Sequence, residues 1–344
     1  MIKLVTTDDF LTLRKKYTLI DVRSPGEYNK AHIPGAINIP LFSDEERADV
    51  GTRYKQVSKE NAMIVGLEYA AKNSMEYLEK ATLAAEGKPV LVYCWRGGNR
   101  SNAFCHLLQA AKIDSFRLEG GYKAYKKFIR AEFNKEIKII ILGGMTGSGK
   151  TEKLLKLKEM GQQVIDLEGI AIHKGSAFGY SPTLPQPSNE HFENLLYEEW
   201  RKLDFSKPLW LEDESRMIGR CQINDYLFNR MRSAVVIKIV VQLIDRVKRL
   251  VEDYTGYDKL YLIESFERIA KRLGGENYKN AIMALENDDF ATAAEIALKY
   301  YDKAYEFGLS KRNSNKIIEL ELSSDLAGIA AIEIIECARK NRLF

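Results

Sequence analysis

The chain has 344 residues, with 52 lysines and arginines against 48 aspartates and glutamates, and 45% of its residues are hydrophobic. This length favours two domains of roughly 100 to 200 residues, and the composition argues against extensive disorder. The formal net charge of +4 excludes a polybasic, histone-like protein. Contact with a nucleic acid would therefore need a local basic patch.

The sequence offers neither a membrane segment nor a disulfide framework. Its apolar runs fall short of the roughly 18 residues that a membrane-spanning helix needs, and its first residues lack the apolar core of a signal peptide. We therefore expect a cytoplasmic protein that does not associate with membranes. The four cysteines are widely scattered and form no CxxC pair, so a functional cysteine would act as a single nucleophile.

The sequence changes character near Asn134. Residues 1–134 carry 21 basic and 16 acidic side chains, which leaves 31 basic and 32 acidic for residues 135–344. The charged, helix-like stretch KAYKKFIRAEFNKE is followed by KIIILGG, a buried-strand pattern that begins a new unit. We therefore predict domains at 1–134 and 135–344.

Both halves show the pattern of α/β folds. In the first, the apolar runs TLIDV and KPVLVYC alternate with helix-like segments, which is typical of βα units around a parallel sheet. The stretch 245–310 is rich in Ala, Glu, Lys, Leu and Tyr and lacks proline, so it predicts a helical insertion in the second half. Strands of the second half are predicted at 137–142, 162–167, 208–213, 234–241 and 316–322.

A phosphate-binding P-loop is the strongest motif. The segment GMTGSGKT fits GxxxxGK[ST], follows an apolar strand and precedes a helix-like stretch, which argues against a mere Gly-rich turn. Glycines let backbone N–H groups turn onto phosphate oxygens, Lys150 reaches the outer phosphate, and the Thr151 hydroxyl can hold Mg²⁺. Mg²⁺ is thus a candidate ion, and we expect no tightly bound cofactor. The predicted diphosphate site comprises Gly144, Met145, Thr146, Gly147, Ser148, Gly149, Lys150 and Thr151.

Two sets of charged residues are candidates to complete this site. The strand end WLEDESR offers three acids, and we predict that Asp213 engages the metal or its water. The alternative is that these acids only pair with nearby Arg216 and Arg220. The insertion begins with IDRVKRLVEDY, so Arg246 and Arg249 are predicted to close over a bound diphosphate as a lid, the alternative being a solvated helix face.

The second candidate site is YCWRGGNRS, residues 93–101. A cysteine directly after a strand, followed by a tight Gly-containing loop and a helix, gains thiolate character from inward-pointing amides and the helix N-terminus. We predict Cys94 as the catalytic nucleophile; a buried inert cysteine is the alternative, and Cys105 and Cys337 fit it. The predicted oxyanion-binding residues are Arg96, Gly97, Gly98, Asn99 and Arg100.

Residues 1–134 resemble a rhodanese domain through IDVRSPGEYNKAHIPGAINIP, the Cys94 loop and LEGGYKAY. The resemblance implies that Cys94 carries a chalcogen as a persulfide-like adduct. It also implies mostly structural roles for Asp21, Arg23 and His32, and Tyr125 stands where the family commonly has tryptophan.

The Cys94 loop departs from the common CxxGxRS form because it has one more residue between cysteine and arginine. Its C(x)5R spacing resembles that of rhodanese-fold phosphatases and favours a tetrahedral phosphate-type anion. Selenophosphate would use both features, with its phosphate held by the loop amides and Arg100 while the Cys94 thiolate attacks selenium.

The chain as a whole resembles the tRNA 2-selenouridine synthase family, through the segments above together with EERADVGTRYKQVS, DLEGIAIHKGSAFG and WLEDESRMIG. That family replaces the sulfur of wobble 2-thiouridine in tRNA by selenium, through an S-geranylated intermediate. The resemblance implies selenophosphate and geranyl diphosphate as co-substrates, tRNA with wobble 2-thiouridine as partner, and transient contact with the enzyme that supplies selenophosphate. Geranylation would make the sulfur a good leaving group, so the P-loop need not hydrolyse ATP.

A basic stretch is the candidate tRNA surface. Residues 216–249 contain eight basic side chains against two acidic ones. The alternative is that these arginines hold the sheet edge or the diphosphate. The predicted tRNA-binding residues are Arg216, Arg220, Arg230 and Arg232. The candidates for a geranyl pocket, which core packing explains equally well, are Phe178, Tyr180, Phe192 and Trp210.

Two other hypotheses stay open from the sequence. One is an ATP-dependent enzyme of tRNA thiolation or of kinase type, which predicts tight ATP binding and activation of a substrate oxygen. The other is a regulatory module in which the C(x)5R loop binds phosphate and the P-loop acts as a nucleotide switch.

Overall fold

The computed structural model describes residues 2–175, 178, 184–254 and 256–344. The chain divides into two units, unit 1 (Met1–Phe133) and unit 2 (Asn134–Phe344). Each unit is built on a five-stranded parallel sheet with helices, which confirms the predicted α/β class. Within the described residues, no helix combines the length and apolar character needed to span a membrane.

The sheet of unit 1 has the strand order β1-β5-β4-β2-β3. All four residues of β4 are buried, as expected for the central strand of a sheet covered on both faces. The strands are β1 (Lys3–Val5), β2 (Thr18–Asp21), β3 (Ile37–Asn38), β4 (Val90–Tyr93) and β5 (Ser115–Leu118). The helices are α1 (Thr7–Leu13), α2 (Pro25–Lys30), α3 (Asp44–Gln56), α4 (Lys59–Lys72), α5 (Ser74–Ala85), α6 (Asn99–Ala110) and α7 (Gly121–Glu132).

Three consecutive helices, α3 to α5, connect β3 to β4 in unit 1. Helix α3 begins at a capping box, in which the Ser43 hydroxyl accepts from the Glu46 amide and the Glu46 carboxylate accepts from the Ser43 amide. Ser58 caps α4 in the same way, by accepting from the Asn61 amide. These caps fix a helical pair beside the start of α6, next to the loop that carries Cys94.

The sheet of unit 2 has the order β12-β11-β6-β8-β7. Its strands are β6 (Ile139–Gly143), β7 (Gln163–Val164), β8 (Leu209–Glu212), β11 (Val235–Val240) and β12 (Ile317–Glu321), and an antiparallel pair is formed by β9 (Met217–Ile218) and β10 (Cys221–Gln222). The helices are α8 (Lys150–Glu159), α9 (Leu167–Ala171), α10 (Asn189–Trp200), α11 (Asp225–Ser233), α12 (Leu243–Tyr254), α13 (Lys259–Leu273), α14 (Gly275–Glu286), α15 (Phe290–Ser310) and α16 (Ala327–Lys340), with a 3-10 turn at Ser314–Lys316.

The five predicted strands of unit 2 all overlap observed ones, and one is much shorter than expected. The strand predicted at 162–167 is observed only as the two-residue β7. It ends early because Asp166 is the N-cap of α9, and its carboxylate accepts a hydrogen bond from the Gly169 amide at 2.7 Å. The predicted helical insertion at 245–310 corresponds to the four helices α12 to α15.

A buried ion pair holds the end of β2 in unit 1. Arg23 and Asp21 are both buried, and Arg23 Nη2 lies 2.6 Å from Asp21 Oδ2. The same guanidinium donates to the Ala31 carbonyl at 2.7 Å and lies 4.1 Å from the centre of the Tyr122 ring. The pair therefore ties together β2, the end of α2 and α7.

Removing one partner of this pair tests its structural role. We expect Asp21→Ala to lower the free energy of unfolding of unit 1 by about 3–5 kcal/mol, because it leaves a buried, uncompensated guanidinium. The measurement is denaturant unfolding followed by hydrogen exchange in peptides of unit 1.

The control for Asp21→Ala is Glu76→Ala, whose partner Lys80 is 53% exposed while Glu76 is 59% exposed. This substitution is expected to cost only about 0.3–0.5 kcal/mol. Equal losses for the two variants would contradict a special role for the buried pair.

Candidate active sites in the two units

The thiol of Cys94 lies at the end of the central strand of unit 1. Cys94 directly follows β4 and is buried. Its Sγ lies 3.2 Å from Ser101 Oγ in the first turn of α6, and Ser101 Oγ also donates to the Gly98 carbonyl at 3.2 Å. The structure thus places the thiol at the N-terminus of α6, beside the loop that the sequence identified.

The shape of the Cys94 loop depends on two glycines with positive φ, Gly97 at +62° and Gly121 at +60°. A Cβ on Gly121 would lie 2.3 Å from the Cys94 carbonyl oxygen and 2.3 Å from the Gly97 nitrogen. The Tyr122 amide donates to the same Cys94 carbonyl at 2.8 Å. The LEGGY segment therefore supports the backbone of the Cys94 loop, and at position 121 only glycine fits.

The guanidinium of Arg100 is held by Glu27, a residue that sequence reasoning did not single out. Arg100 Nη1 donates to Glu27 Oε2 at 2.6 Å, and Arg47 Nε lies 3.0 Å from the same oxygen. Burial alone would raise the pKa of Glu27, but the hydrogen bond and charge of Arg100, with the charge of Arg47, lower it overall. Arg100 is thus fixed beside the loop by an ionised carboxylate, while Arg96 and Asn99 are exposed.

The P-loop connects β6 to α8 and has positive φ at three glycines, Gly144, Gly147 and Gly149. Three cations bind its carbonyl oxygens from the same side: Arg246 Nη1 reaches Thr146 O at 3.2 Å, Arg249 Nη1 reaches Gly147 O at 2.7 Å, and Lys153 Nζ reaches Ser148 O at 2.9 Å. Because peptide groups are planar and trans, the amides of Gly147 and Gly149 point away from these cations. The loop thereby presents N–H groups suited to an anion.

The lid prediction for Arg246 and Arg249 needs a correction. Besides holding the loop carbonyls, Arg246 is buried and pairs with Asp302 at 2.7 Å, and Arg249 pairs with Asp325. Both guanidinium groups are therefore part of the loop's support. The sequence placed them correctly near the P-loop, but their aspartate partners lie more than 50 residues away along the chain and gave no local signal.

Lys150 lies within the cavity formed at the P-loop. Its Nζ donates to the Gly144 carbonyl at 3.0 Å and to the Met145 carbonyl at 3.4 Å. The mouth of the P-loop is a cavity of about 580 Å³, lined by the loop, by acidic side chains and by an apolar wall. That wall includes Phe178, Leu250, Tyr257 and Tyr301.

Of the candidates for a geranyl pocket, only Phe178 lines this cavity among the described residues. Phe192 and Trp210 are fully buried in the core, which is the alternative noted for them. Tyr180 lies outside the described residues. The remaining apolar wall comes from the helical insertion, which the sequence identified as helical without showing which side chains face the P-loop.

A cluster of three glutamates adjoins Thr151. One oxygen of each of Glu168, Glu212 and Glu214 lies within 4.8 Å of those of the others. Thr151 Oγ1 is 2.7 Å from Glu212 Oε1 and 3.2 Å from Glu168 Oε2. The motifs do not single out Glu168, because it comes from α9, at the start of DLEGIAIHKG, and only the fold brings it to the P-loop.

The choice of Asp213 as the acidic residue also needs a correction. Its Oδ1 accepts a hydrogen bond from Arg312 and lies 3.7 Å from Arg232 Nη1. Consecutive residues along a strand point to opposite sides, so Glu212 meets Thr151 whereas Asp213 turns toward the arginines. Asp213 thus pairs with arginines, but with Arg232 and Arg312 and not with the neighbouring Arg216 and Arg220 of the alternative.

The three glutamates have strongly raised pKa values. Burial, followed by the charge of Glu168, raises the pKa of Glu212 to about 8. Burial and the charge of Glu214 raise that of Glu168 to about 8, and burial and the charge of Glu212 raise that of Glu214 to about 7. Three neighbouring carboxylates cannot all be ionised here unless a cation compensates them.

The donor set of this cluster suits a hard divalent cation. Glu212 is buried, and its Oε2 has no hydrogen-bond partner among the residues that the structure describes. Carboxylate and hydroxyl oxygens are the ligands that Mg²⁺ prefers. Glu168, Glu212, Glu214 and Thr151 can therefore hold such an ion beside the P-loop.

The four arginines predicted to bind tRNA are all engaged within unit 2. Arg216 pairs with Asp225, Arg220 donates to the Gln186 and Pro187 carbonyls, and Arg230 donates to the carbonyl of Lys135 at 2.7 Å. Arg232 donates to the Gly308 carbonyl at 2.8 Å. Each of these arginines therefore has a partner within unit 2, and its role in tRNA binding stays a prediction.

The fold and the two sites define a protein that joins a rhodanese-type cysteine loop to a P-loop domain. A model of the rhodanese-like domain matches residues 6–128, and a model described as the tRNA 2-selenouridine synthase AAA domain matches residues 137–327. The chain belongs to the tRNA 2-selenouridine synthase family, which confirms the resemblance noted in the sequence.

Relatives with that name match along almost the whole chain. One from Sulfurovum sp. is 33% identical and covers 92% of this chain and 96% of its own length. One from Marinobacter nauticus is 32% identical and covers 91% of this chain and 94% of its own. A solved N-terminal domain of a Clostridium difficile protein is 35% identical over 37% of this chain and 98% of that domain, with a TM-score of 0.33.

The glutamate cluster predicts a pH dependence of stability. Because the folded pKa values of about 7 to 8 exceed the usual carboxyl value of about 4.3, the folded state binds more protons between those limits. The contribution of this cluster to stability is therefore greatest at and below about pH 4.3 and falls as pH rises to 8, by at most about 1.4 kcal/mol per pH unit for each proton. We expect Glu212→Gln to flatten this decline.

The decline in stability is measured as the free energy of unfolding by denaturant, in EDTA at pH 5.5 and pH 8.0. Unfolding is followed by tryptophan fluorescence. Trp200 and Trp210, both buried in unit 2, report on the relevant unit. The control is Glu159→Gln, at a side chain that is 65% exposed, which should leave the pH dependence of the wild type unchanged. A Glu212→Gln profile as steep as that of the wild type would refute the assignment.

Proposed function

We propose that this chain replaces the sulfur of wobble 2-thiouridine in tRNA by selenium in two steps. In the first, unit 2 transfers a geranyl group from geranyl diphosphate to the sulfur. In the second, unit 1 delivers selenium from selenophosphate through Cys94, and geranyl thiol leaves. The observation that carries the proposal is the P-loop cavity, which sets a diphosphate cradle against an apolar, aromatic wall.

The first step uses both sides of that cavity. The diphosphate would bind the amides of Gly147 and Gly149 and the ammonium of Lys150, with the prenyl chain against Phe178 and Tyr301. The allylic C–O bond breaks while the sulfur forms a bond to the same carbon, and the N3 proton of the base leaves.

A divalent cation fits the charge balance of this step. Glu168, Glu212, Glu214 and Thr151 would hold Mg²⁺ next to the diphosphate. When bound, the ion neutralises charge on the leaving diphosphate. The protein's own contribution is to aim the amides and Lys150 at the same group, so that charge developing on the leaving oxygen meets fixed positive potential.

The second step draws on the Cys94 loop. The amides of the loop and Arg100, held in place by Glu27, suit the phosphate of selenophosphate. Cys94, at the N-terminus of α6, would take the phosphoryl group from selenophosphate, so that the Se–P bond breaks and selenium is released as selenide beside the loop. Selenide then forms the C2–Se bond on the base while the C2–S bond breaks and the S-geranyl group leaves as the thiol, and water hydrolyses the S–P bond on Cys94 to release phosphate.

The two steps separate in a Cys94→Ser variant. With 2-thiouridine tRNA, geranyl diphosphate, selenophosphate and Mg²⁺, we expect S-geranyl-2-thiouridine to accumulate and 2-selenouridine to fall at least a hundredfold. The measurement is mass analysis of the nucleosides, and EDTA should suppress geranyl transfer. The matched control is Cys337→Ser, at a partly exposed cysteine far from the loop in sequence, which should behave like the wild type.

Two outcomes would overturn the proposal. One is unchanged 2-selenouridine formation by Cys94→Ser. The other is turnover that ATP supports and geranyl diphosphate does not, which would favour an ATP-dependent thiolation or kinase-type enzyme. Phosphate binding at the Cys94 loop without any nucleoside product would favour the regulatory module.

A further inference from the structure

Unit 1 contains a second, larger cavity that the steps above leave unassigned. It is a groove of about 920 Å³ between α3, α4 and the first turns of α6. Its floor and walls include Leu41, Phe42, Val50, Met63 and Leu67. The groove is thus mainly apolar, and it is large enough for a small organic ligand.

The groove opens next to the Cys94 loop. Asn99 and Arg100, the first residues of α6, line its end, and Ala103 continues the wall one turn further. Arg47 of α3 also lines it and shares the Glu27 carboxylate with Arg100. The groove and the oxyanion loop are therefore continuous parts of one surface.

The exposed apolar side chains along the groove need an explanation. Leu67 is 54% exposed, Met63 is 44% exposed and Tyr54 is 55% exposed. Apolar side chains that cluster at the surface of a cavity mark a binding site for an apolar group. The polar end at Arg100 and the apolar side chains along α3 and α4 suit a ligand with a polar reacting head and a hydrocarbon tail, while Lys55 and Lys59 also line the groove.

We propose that this groove holds the geranyl chain of the S-geranylated wobble base while selenium is delivered at the Cys94 loop. The inference rests on the proposed function. Selenium attacks the same carbon that carries the S-geranyl group, so the geranyl chain begins two bonds from the site of attack. A hydrocarbon chain must then lie beside the Cys94 loop, and the groove is a mainly apolar cavity that borders this loop at Asn99 and Arg100.

The groove therefore sets the specificity of the second step. An S-geranyl group is held with its sulfur toward Arg100 and its chain along Met63 and Leu67. An S-methyl group has the same reacting atoms but lacks the hydrocarbon chain, so the groove does not contribute to its binding. The structure assigns to unit 1 its own prenyl subsite, separate in function from the P-loop cavity of unit 2.

The test uses the full chain with tRNA that already carries S-geranyl-2-thiouridine or S-methyl-2-thiouridine, plus selenophosphate. For the wild type we expect kcat/KM for 2-selenouridine formation to be at least tenfold higher with the geranyl substrate. Leu67→Glu and Met63→Glu should remove most of this preference by slowing the geranyl substrate alone. The matched control is Ile64→Glu, on the same helix and 57% exposed but outside the groove, which should keep the preference.

A binding readout complements the kinetics. A tRNA whose 2-thiouridine sulfur carries a ten-carbon chain with a terminal diazirine should cross-link, on illumination, to peptides of α3 and α4 in the wild type. The cross-link should persist in Ile64→Glu and drop at least fivefold in Leu67→Glu. Circular dichroism of each variant shows that the exposed substitutions leave the fold intact.

The proposal is overturned if Leu67→Glu slows the geranyl and methyl substrates equally, because the surface would then contact the tRNA itself. It is also overturned if the cross-links map elsewhere or if the wild type shows no preference for the geranyl group. A wild type that converts neither S-alkylated tRNA, although it geranylates 2-thiouridine, would instead overturn the proposed second step.

Discussion

The organisation of unit 2 depends on three cations that hold the carbonyl oxygens of the P-loop. Arg246, Arg249 and Lys153 each bind one of three consecutive carbonyls, and aspartates from α15 and the segment before α16 fix these cations in turn. Each peptide group is thereby oriented before any ligand arrives, so an anion meets preorganised N–H donors. The helical insertion is therefore a structural support of the phosphate site, as well as the source of its apolar wall.

The same site concentrates negative charge that the P-loop alone does not balance. Three glutamates next to Thr151 have raised pKa values because burial and mutual repulsion disfavour their ionised forms. Protonation of the glutamates or binding of a divalent cation relieves this repulsion, and a bound cation would also attract a diphosphate. In unit 1 the balance is reached differently, because Glu27 compensates Arg100 directly. In unit 2, then, carboxylates next to the anion site need a cation to balance them. In unit 1, a carboxylate balances the arginine next to the anion site.

The sequence predicted the features that depend on local pattern and missed those that depend on distant contacts. The P-loop, the Cys94 loop and the helical insertion were identified because each has its spacing within one segment. Sequence reasoning chose Asp213 over Glu212 because the direction of a side chain at a strand end depends on strand register, which motifs do not show. Glu27 was missed for a related reason, since it lies 73 residues from Arg100.

If the P-loop serves only the step before selenium delivery, a tRNA that already carries the S-geranyl group should bypass it. A Lys150→Ala chain would be given 2-thiouridine tRNA with geranyl diphosphate, or S-geranyl-2-thiouridine tRNA, each with selenophosphate. We expect little 2-selenouridine from the first substrate and near wild-type formation from the second. Failure of the geranylated tRNA to restore the product would contradict the division of the chemistry between the two units.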